Sequence, residues 1–234
     1  MINLNALLRR CVEYYEHPWA IEGHLRDAQS RLLSLFQPSD VGFIFSKSMP
    51  RSGHRFLADC LSQYFGPELH YCGFYQPDCC HRIPCTRPHD GARANRYFMQ
   101  KSHDFGFRDS ARLNGKYLIQ YRSPIPRLQS NYDLAVARGT SGQSKESFLA
   151  FAERETVYFI NFYRKWVAVP RPNALTLAYE DLIEQQERTL ATVIGFIKGD
   201  AAIDAGALAR AVAQVPIAAD NASGALHESH AAFL

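Results

Sequence analysis

Long apolar runs are missing from this 234-residue chain, and so is a strong excess of either charge. No stretch reaches the roughly 18 apolar residues that a membrane-spanning helix needs. A formal net charge of +3 is too small to indicate nucleic-acid binding by itself, although it would not repel an anionic ligand. Apolar residues still make up 47% of the chain, which is ample for a packed core and argues against disorder or a fibrous repeat.

A secretory signal is also missing from the start of the chain. The short apolar patch there is followed, and not preceded, by Arg9 and Arg10, which is the wrong order for such a signal. We therefore expect a cytoplasmic protein with no membrane span and no nucleic-acid partner. The composition leaves a homodimer open.

The cysteines form no clear metal-binding pattern. Four of the six fall in one stretch that also contains His81, namely Cys72, Cys79, Cys80 and Cys85. The adjacent pair in this stretch fits poorly to the C-x2–4-C spacing of zinc sites, and without an export signal a disulfide is not the default. Reduced structural thiols, a local disulfide and a metal site stay open, and we assign no metal ligands.

Short apolar runs alternate with helical patterns through the middle of the chain. Strands are predicted at residues 41–45, 97–101, 117–121 and 174–178, and helices at residues 56–64, 124–136, 148–167 and 180–197. This alternation predicts an α/β fold with a central parallel sheet flanked by helices.

The chain divides into three predicted regions. An N-terminal helical extension covers residues 1–39, and the α/β domain covers residues 40–200. Within that domain, residues 70–96 form an insertion rich in cysteine and proline, which we expect to help shape a binding pocket together with the N-terminal helices. Residues 201–234 form a C-terminal helical tail.

The turn between the first strand and the first helix carries the most chemistry. Backbone N–H groups and the helix dipole favour an anion at such a turn. Gly53 permits close backbone approach, Ser52 offers a hydroxyl, and Arg51 and Arg55 add positive charge. The Gly-Lys-Ser/Thr of a Walker A loop is absent, so a metal-dependent nucleotide triphosphatase is disfavoured. By itself the motif is equally compatible with an ordinary strand–helix turn that carries surface arginines.

Four segments in register resemble motifs of the sulfotransferases that use 3′-phosphoadenosine 5′-phosphosulfate (PAPS). Residues 50–56 are similar to the loop that wraps the 5′-phosphosulfate, and residues 101–103 to a strand end whose histidine is the general base. Residues 122–130 resemble the segment that grips the 3′-phosphate, and residues 177–182 a Tyr-Glu-Asp-Leu element. Together the segments span residues 41–197, most of the chain.

The resemblance implies a P-loop-like sulfotransferase architecture and a role for each matching residue. The residues that would bind the donor are Arg51, Ser52, Gly53, His54 and Arg55 at the phosphosulfate, and Arg122 and Ser130 at the 3′-phosphate. The catalytic residues would be His103 as the base, with Arg51 and Lys101 stabilising the charge on the leaving phosphate. A sulfuryl group would then move from PAPS to a hydroxyl or amine of a carbohydrate or small molecule, and leave 3′-phosphoadenosine 5′-phosphate (PAP).

The chain departs from the family pattern in two places. His54 and Arg55 replace a pair of hydroxyl residues, and no Arg-Lys-Gly segment follows Phe196 to complete the 3′-phosphate site. Two alternatives therefore stay open, a non-catalytic domain of the same fold that binds a nucleotide or anion, and a nucleotide kinase.

Several neighbouring residues are expected to be structural. Trp166 has the helical spacing of a core residue, and residues 179–181 suit a strand end followed by the first turn of a helix. Arg127 and Arg138, on the helix that begins at Pro124, are expected to be solvated.

Overall fold

The structure is a computed structural model that describes residues 42–75, 79, 82–85, 96–111, 113–199 and 201–215, with the isolated positions 28 and 32. Apart from these two positions, the predicted extension over residues 1–39 lies outside the described residues, and so does the tail beyond residue 215.

Five parallel strands form one sheet within the described ranges, in the order β2-β3-β1-β4-β5. They are β1 (Gly42–Ser48), β2 (Leu69–Cys72), β3 (Tyr97–Ser102), β4 (Lys116–Tyr121) and β5 (Ala174–Ala178). The predicted central parallel sheet is confirmed. Strand β2 was not predicted, because it is a four-residue edge strand whose two middle side chains are exposed. It occupies the start of the segment predicted as an insertion.

Six helices flank this sheet in the described part of the chain. They are α1 (His54–Phe65), α2 (Pro124–Ala137), α3 (Lys145–Phe162), α4 (Tyr179–Glu184), α5 (Gln186–Lys198) and α6 (Ala205–Gln214). Helix α3 begins at Lys145, before the predicted start at residue 148. The reason is that Ser144 caps the helix by accepting from the N–H of Ser147. The single helix predicted at residues 180–197 is two helices, since Gln185 has the non-helical φ of −133°.

The apolar core has two layers, one on each face of the sheet. Side chains alternate along β1, so that Ile44 packs with helices α1, α5 and α6 while Phe43 and Phe45 pack on the opposite face. Trp166, in a π-helical turn that follows α3, belongs to the second layer and is fully buried, as expected. Burial on both faces explains why β1 reads as a continuous apolar run.

Three adjacent strands end at the same edge of the sheet. Strand β1 lies between β3 and β4, and in this register Lys47 is opposite Ser102 and Ser48 is opposite Gln120. The segments that follow these strands therefore emerge side by side at their carboxyl ends, where ligand sites of parallel α/β sheets are found.

The described residues contain no helix that is both long and apolar enough to cross a bilayer. Within the same residues, no group of three or more His, Cys, Asp or Glu side chains could hold a metal ion. Cys72 Sγ lies 3.5 Å from Cys79 Sγ, and Cys85 is buried. Cys80 and His81 lie outside the described residues.

Candidate active site

A cavity of about 810 Å³ opens at the carboxyl ends of β1, β3 and β4. This volume lies within the roughly 300–1,000 Å³ that is usual for small-ligand sites. Five cationic side chains line it, namely Arg51, Arg55, Lys101, Arg122 and Arg138. Among the described residues that line the cavity, none is an aspartate or a glutamate. Such a lining favours an anionic ligand with more than one charge.

The loop between β1 and α1 is a tight turn with two left-handed residues. Arg51 has a φ of 65° and Gly53 a φ of 75°. A Cβ atom at Gly53 would lie only 2.5 Å from Cδ2 of Tyr179, so this position accepts glycine alone. The hydroxyl of Ser52 is buried and donates to the carbonyl of Met49 at 2.6 Å, which closes the turn. The side chain of Ser52 is thus used within the loop, and a ligand would meet this residue through its backbone.

His54 borders the cavity, but its ring is 5% exposed and engaged on both sides. Its Nδ1 lies 3.2 Å from the hydroxyl of Ser46, and its Nε2 lies 2.9 Å from the hydroxyl of Tyr71. Burial, with the nearby charge of Lys101, lowers the pKa of His54 to about 3. The ring is therefore neutral at pH 7, and His54 offers an anion its backbone N–H in the first turn of α1 rather than a positive charge.

Arg51 and Arg122, from the two segments predicted to bind opposite ends of the donor, both line the cavity, whereas Ser130 is half-buried and is not among the lining residues. Arg51 Nε donates to Ser130 Oγ at 2.8 Å, and Arg122 Nη1 donates to the carbonyl of Arg51 at 3.4 Å. The Arg122 guanidinium lies 4.4 Å from the ring centroid of Tyr179, and its buried Nε has no hydrogen-bond partner among the described residues. No ion pair to a carboxylate is found for Arg122 in that part of the chain.

His103 lies directly after β3, and its imidazole lines the cavity. Its Nδ1 is 2.6 Å from the carbonyl oxygen of Ser48, and since a carbonyl only accepts, Nδ1 carries the proton. In the neutral ring Nε2 then has the free lone pair. Burial and the charge of Lys101 lower the pKa of His103 to about 4, against the opposite effect of the hydrogen bond to Ser48. The ring is consequently neutral and able to accept a proton at pH 7.

Two buried ion pairs fix the loop behind His103. Lys47 Nζ lies 2.6 Å from Asp109 Oδ2, and Lys165 Nζ lies 2.7 Å from Asp104 Oδ2. Asp104 also accepts from the indole N–H of Trp166 at 2.9 Å. These pairs are distinct from the cavity lining, and they hold the backbone that presents the histidine.

The cavity is also lined by residues that were not predicted to bind a ligand. Four are aromatic, one lies on α2 with Leu134, and one caps the end of that helix, namely Phe56, Tyr75, Phe105, Tyr179, Asn131 and Arg138. Arg138 is exposed, as expected, yet lines the cavity. The i, i+3, i+7 spacing of residues 131, 134 and 138 marks one helical face, a signal that could have been found. Tyr75 offered no such signal, because it follows a short strand and belongs to no helix or strand itself.

Arg127 corrects one expectation about α2. It was expected to be solvated, but it is 1% exposed and its Nη1 lies 2.8 Å from Glu155 Oε2 on α3. Its guanidinium also lies 5.8 Å from the ring centroid of Tyr158 and 5.7 Å from that of Phe159. Arg127 therefore joins α2 to α3 and is unavailable to a ligand.

Similarity to known proteins is found at the level of the fold. No family model matches the chain, and no curated protein matches it in sequence. The structure of mouse sulfotransferase SULT7A1 complexed with PAP is similar, with 12% identity and a TM-score of 0.51 over 88% of this chain and 83% of that one. A sulfotransferase from Alicyclobacillus acidocaldarius has 16% identity and a TM-score of 0.49 over 76% of this chain and 95% of that one. The fold is thus similar to that of the mouse sulfotransferase, while an identity this low leaves the activity to be argued from the site.

Proposed function

We propose that this protein is a sulfotransferase that moves a sulfuryl group from PAPS to a hydroxyl or amine acceptor. The observation that carries the proposal is the cavity itself, where five cationic side chains and a neutral histidine meet with no carboxylate among the described lining residues. For this reaction the protein must bind a donor nucleotide that carries phosphate at both ends. It must also provide a proton-accepting group beside that donor.

The residues present fit PAPS as the donor substrate. Gly53 leaves room for close approach to the backbone, and the N-terminus of α1 with Arg51 and Arg55 suits the phosphosulfate. The buried Nε of Arg122 lacks a hydrogen-bond partner in the described residues, which is the state expected of a donor that a phosphate would satisfy. Ser130, which contacts Arg51, would supply a hydroxyl to the phosphate that Arg122 binds. The PAP complex of the mouse protein agrees with this choice of nucleotide.

The proposed reaction is an in-line displacement at sulfur. The acceptor oxygen or nitrogen forms a bond to sulfur while its proton passes to Nε2 of His103, a step worth about 10²–10⁴ in rate. The bond between sulfur and the bridging oxygen breaks, and the electron pair stays on the 5′-phosphate of PAP. Arg51 and Lys101 line the cavity, and each would stabilise this charge as a fixed donor, which raises the rate by about 10²–10³.

Calorimetry with PAP, followed by transfer from ³⁵S-labelled PAPS to a mixture of sugars, phenols and amines, tests the proposal. We expect PAP to bind and at least one acceptor to be labelled. Absence of PAP binding would contradict the nucleotide assignment. Binding without transfer to any acceptor would indicate a non-catalytic domain, and Mg²⁺-dependent turnover of ATP would indicate a kinase.

A further inference from the structure

The peptide groups of His103 have partners outside the sheet. The residue follows the last position of β3, where its backbone N–H and C=O would otherwise lose their hydrogen bonds. The N–H donates to the hydroxyl oxygen of Tyr75 at 2.8 Å, and the C=O accepts from the hydroxyl of Tyr158 at 2.6 Å. One tyrosine follows β2 and the other lies on α3, so two separate elements hold the same residue.

Tyr75 also packs against the imidazole ring. The two ring centroids are 5.3 Å apart and the planes differ by 16°, so the rings stack. On the same tyrosine ring, Lys101 Nζ lies 5.7 Å from the centroid, which adds a cation–π contact. With Nδ1 bonded to the carbonyl of Ser48, the imidazole is restrained at its face, at one ring nitrogen and through its backbone.

We propose that Tyr75 and Tyr158 are positioning residues that hold His103 so that Nε2 stays directed into the cavity. The inference rests on the proposed function, since it gives His103 the role of base. Tyr75 acts through both its hydroxyl and its ring, whereas Tyr158 acts through its hydroxyl on the carbonyl side. Neither hydroxyl needs to touch the acceptor for this role.

The hydroxyls keep their protons over the range of an assay. Burial raises the pKa of Tyr75 to about 12, and burial raises the pKa of Tyr158 still further. Tyr158 therefore remains a donor to the His103 carbonyl, and the Tyr75 oxygen remains a neutral acceptor for the N–H. Loss of either bond would leave a polar group of the peptide without its partner.

Tyr75→Phe tests the hydroxyl of Tyr75 without its ring, because the phenyl group of the variant still stacks on the imidazole. We expect kcat to fall by about 10- to 100-fold, the size that follows from misplacing a catalytic group by less than about 1 Å. The Kd for PAP should stay within about twofold, since the donor site does not use this hydroxyl. Tyr163→Phe is the matched control, because Tyr163 is exposed on the π-helical turn outside the cavity lining, and it should leave both constants unchanged.

A measurement on the histidine itself distinguishes positioning from a merely structural role. In the parent protein, ¹⁵N NMR of the imidazole should show a protonated Nδ1 and an unprotonated Nε2. In Tyr75→Phe we expect a mixture of the two tautomers, because a shift of the His103 backbone would loosen the bond from Nδ1 to the carbonyl of Ser48. A lower melting temperature with unchanged imidazole signals would overturn the inference.

The NMR result does not depend on turnover, so it tests the positioning of His103 separately from the proposed sulfuryl transfer. If PAP binds but no acceptor is labelled, the proposed transfer fails, while a change of tautomer in Tyr75→Phe still supports the restraint on His103. If Tyr75→Phe does not fold, Tyr158→Phe makes the same test from the carbonyl side, and normal imidazole signals with normal kcat there would refute the proposal.

Discussion

Arg51 Nε donates to Ser130 Oγ at 2.8 Å, although 79 positions separate the two residues. The contact joins the loop after β1, where Arg51 lines the cavity, to α2. Because the serine oxygen accepts from the guanidinium, its own proton is left to donate to an anion. Under the proposed function, this pairing of a fixed charge with a hydroxyl donor would serve a phosphate of the donor.

Arg122→Ala should weaken PAP binding by about 10- to 100-fold, because a charge-assisted hydrogen bond to phosphate contributes about 1.5–3 kcal/mol. The loss should depend on the 3′-phosphate, so AMP, which lacks that group, should bind the variant and the parent with a Kd that differs by less than about threefold. Calorimetry with both nucleotides measures this difference.

Arg154→Ala is the matched control for this substitution. Arg154 is exposed on α3, where its Nη1 donates to the carbonyl of Ala150 in the preceding turn. An equal loss of affinity for PAP and AMP in Arg122→Ala would contradict a contact to the 3′-phosphate, and would indicate that the arginine acts by supporting Tyr179.

His103→Ala should reduce kcat by about 10²–10⁴, the contribution of a placed general base, while the Kd for PAP changes little. The acid limb of kcat/KM in the parent protein should lie near pH 4 and not near 6.5, because burial and Lys101 lower the pKa of His103 to about 4. His70→Gln is a suitable control, since His70 is exposed at the edge strand and stacks on Phe98. Turnover retained in His103→Ala would remove the histidine from the mechanism.

The sequence predicted the parts of the fold that depend on local pattern. The apolar run at β1 and the proline that begins α2 are local signals, and the structure has both elements where they were expected. Strand β2 escaped prediction because four residues with two exposed middle positions carry no periodicity. The buried Arg127 escaped because its partner, Glu155, lies on another helix.

The candidate site shows the same division between local and long-range information. Motif order alone indicated Arg51, His103 and Arg122, each next to a strand end. The sequence could not indicate that Ser52 and His54 turn their side chains into the protein, because their partners come from other parts of the fold or from the turn itself. Those contacts exist only once the sheet has formed.

Gly53→Ala should prevent PAP binding and destabilise the protein more than the same change at Gly139. Both glycines have a left-handed φ, 75° at Gly53 and 68° at Gly139, so both substitutions carry the backbone penalty of about 1–2 kcal/mol. Only at Gly53 would the new Cβ collide with Tyr179, whereas at Gly139 it meets no atom of the described residues within 4 Å. Urea unfolding and calorimetry measure the two effects, and equal costs at both positions would show that the contact with Tyr179 does not constrain the loop.

Acidification should destabilise the fold before its carboxylates titrate. The folded-state pKa values of His54 and His103 are lowered to about 3 and about 4, by burial first and then by the charge of Lys101, which lies near both rings. An unfolded chain has histidines with a pKa near 6.5, so between about pH 6.5 and 4 it binds more protons than the folded protein. The free energy of unfolding must therefore fall as the pH falls through this window.

From pH 7 to pH 5, each of these histidines should lower the free energy of unfolding by about 2 kcal/mol. His54→Gln removes one of the two titrations. From pH 7 to pH 5 the free energy of unfolding of this variant should therefore fall by about 2 kcal/mol less than that of the parent protein, whatever its stability at pH 7. His70, whose pKa is also lowered by burial, is common to both proteins and cancels in the comparison. Urea unfolding at several pH values gives both slopes. Identical slopes would mean that the ring of His54 titrates normally, and that burial beside Lys101 does not hold it neutral inside the protein.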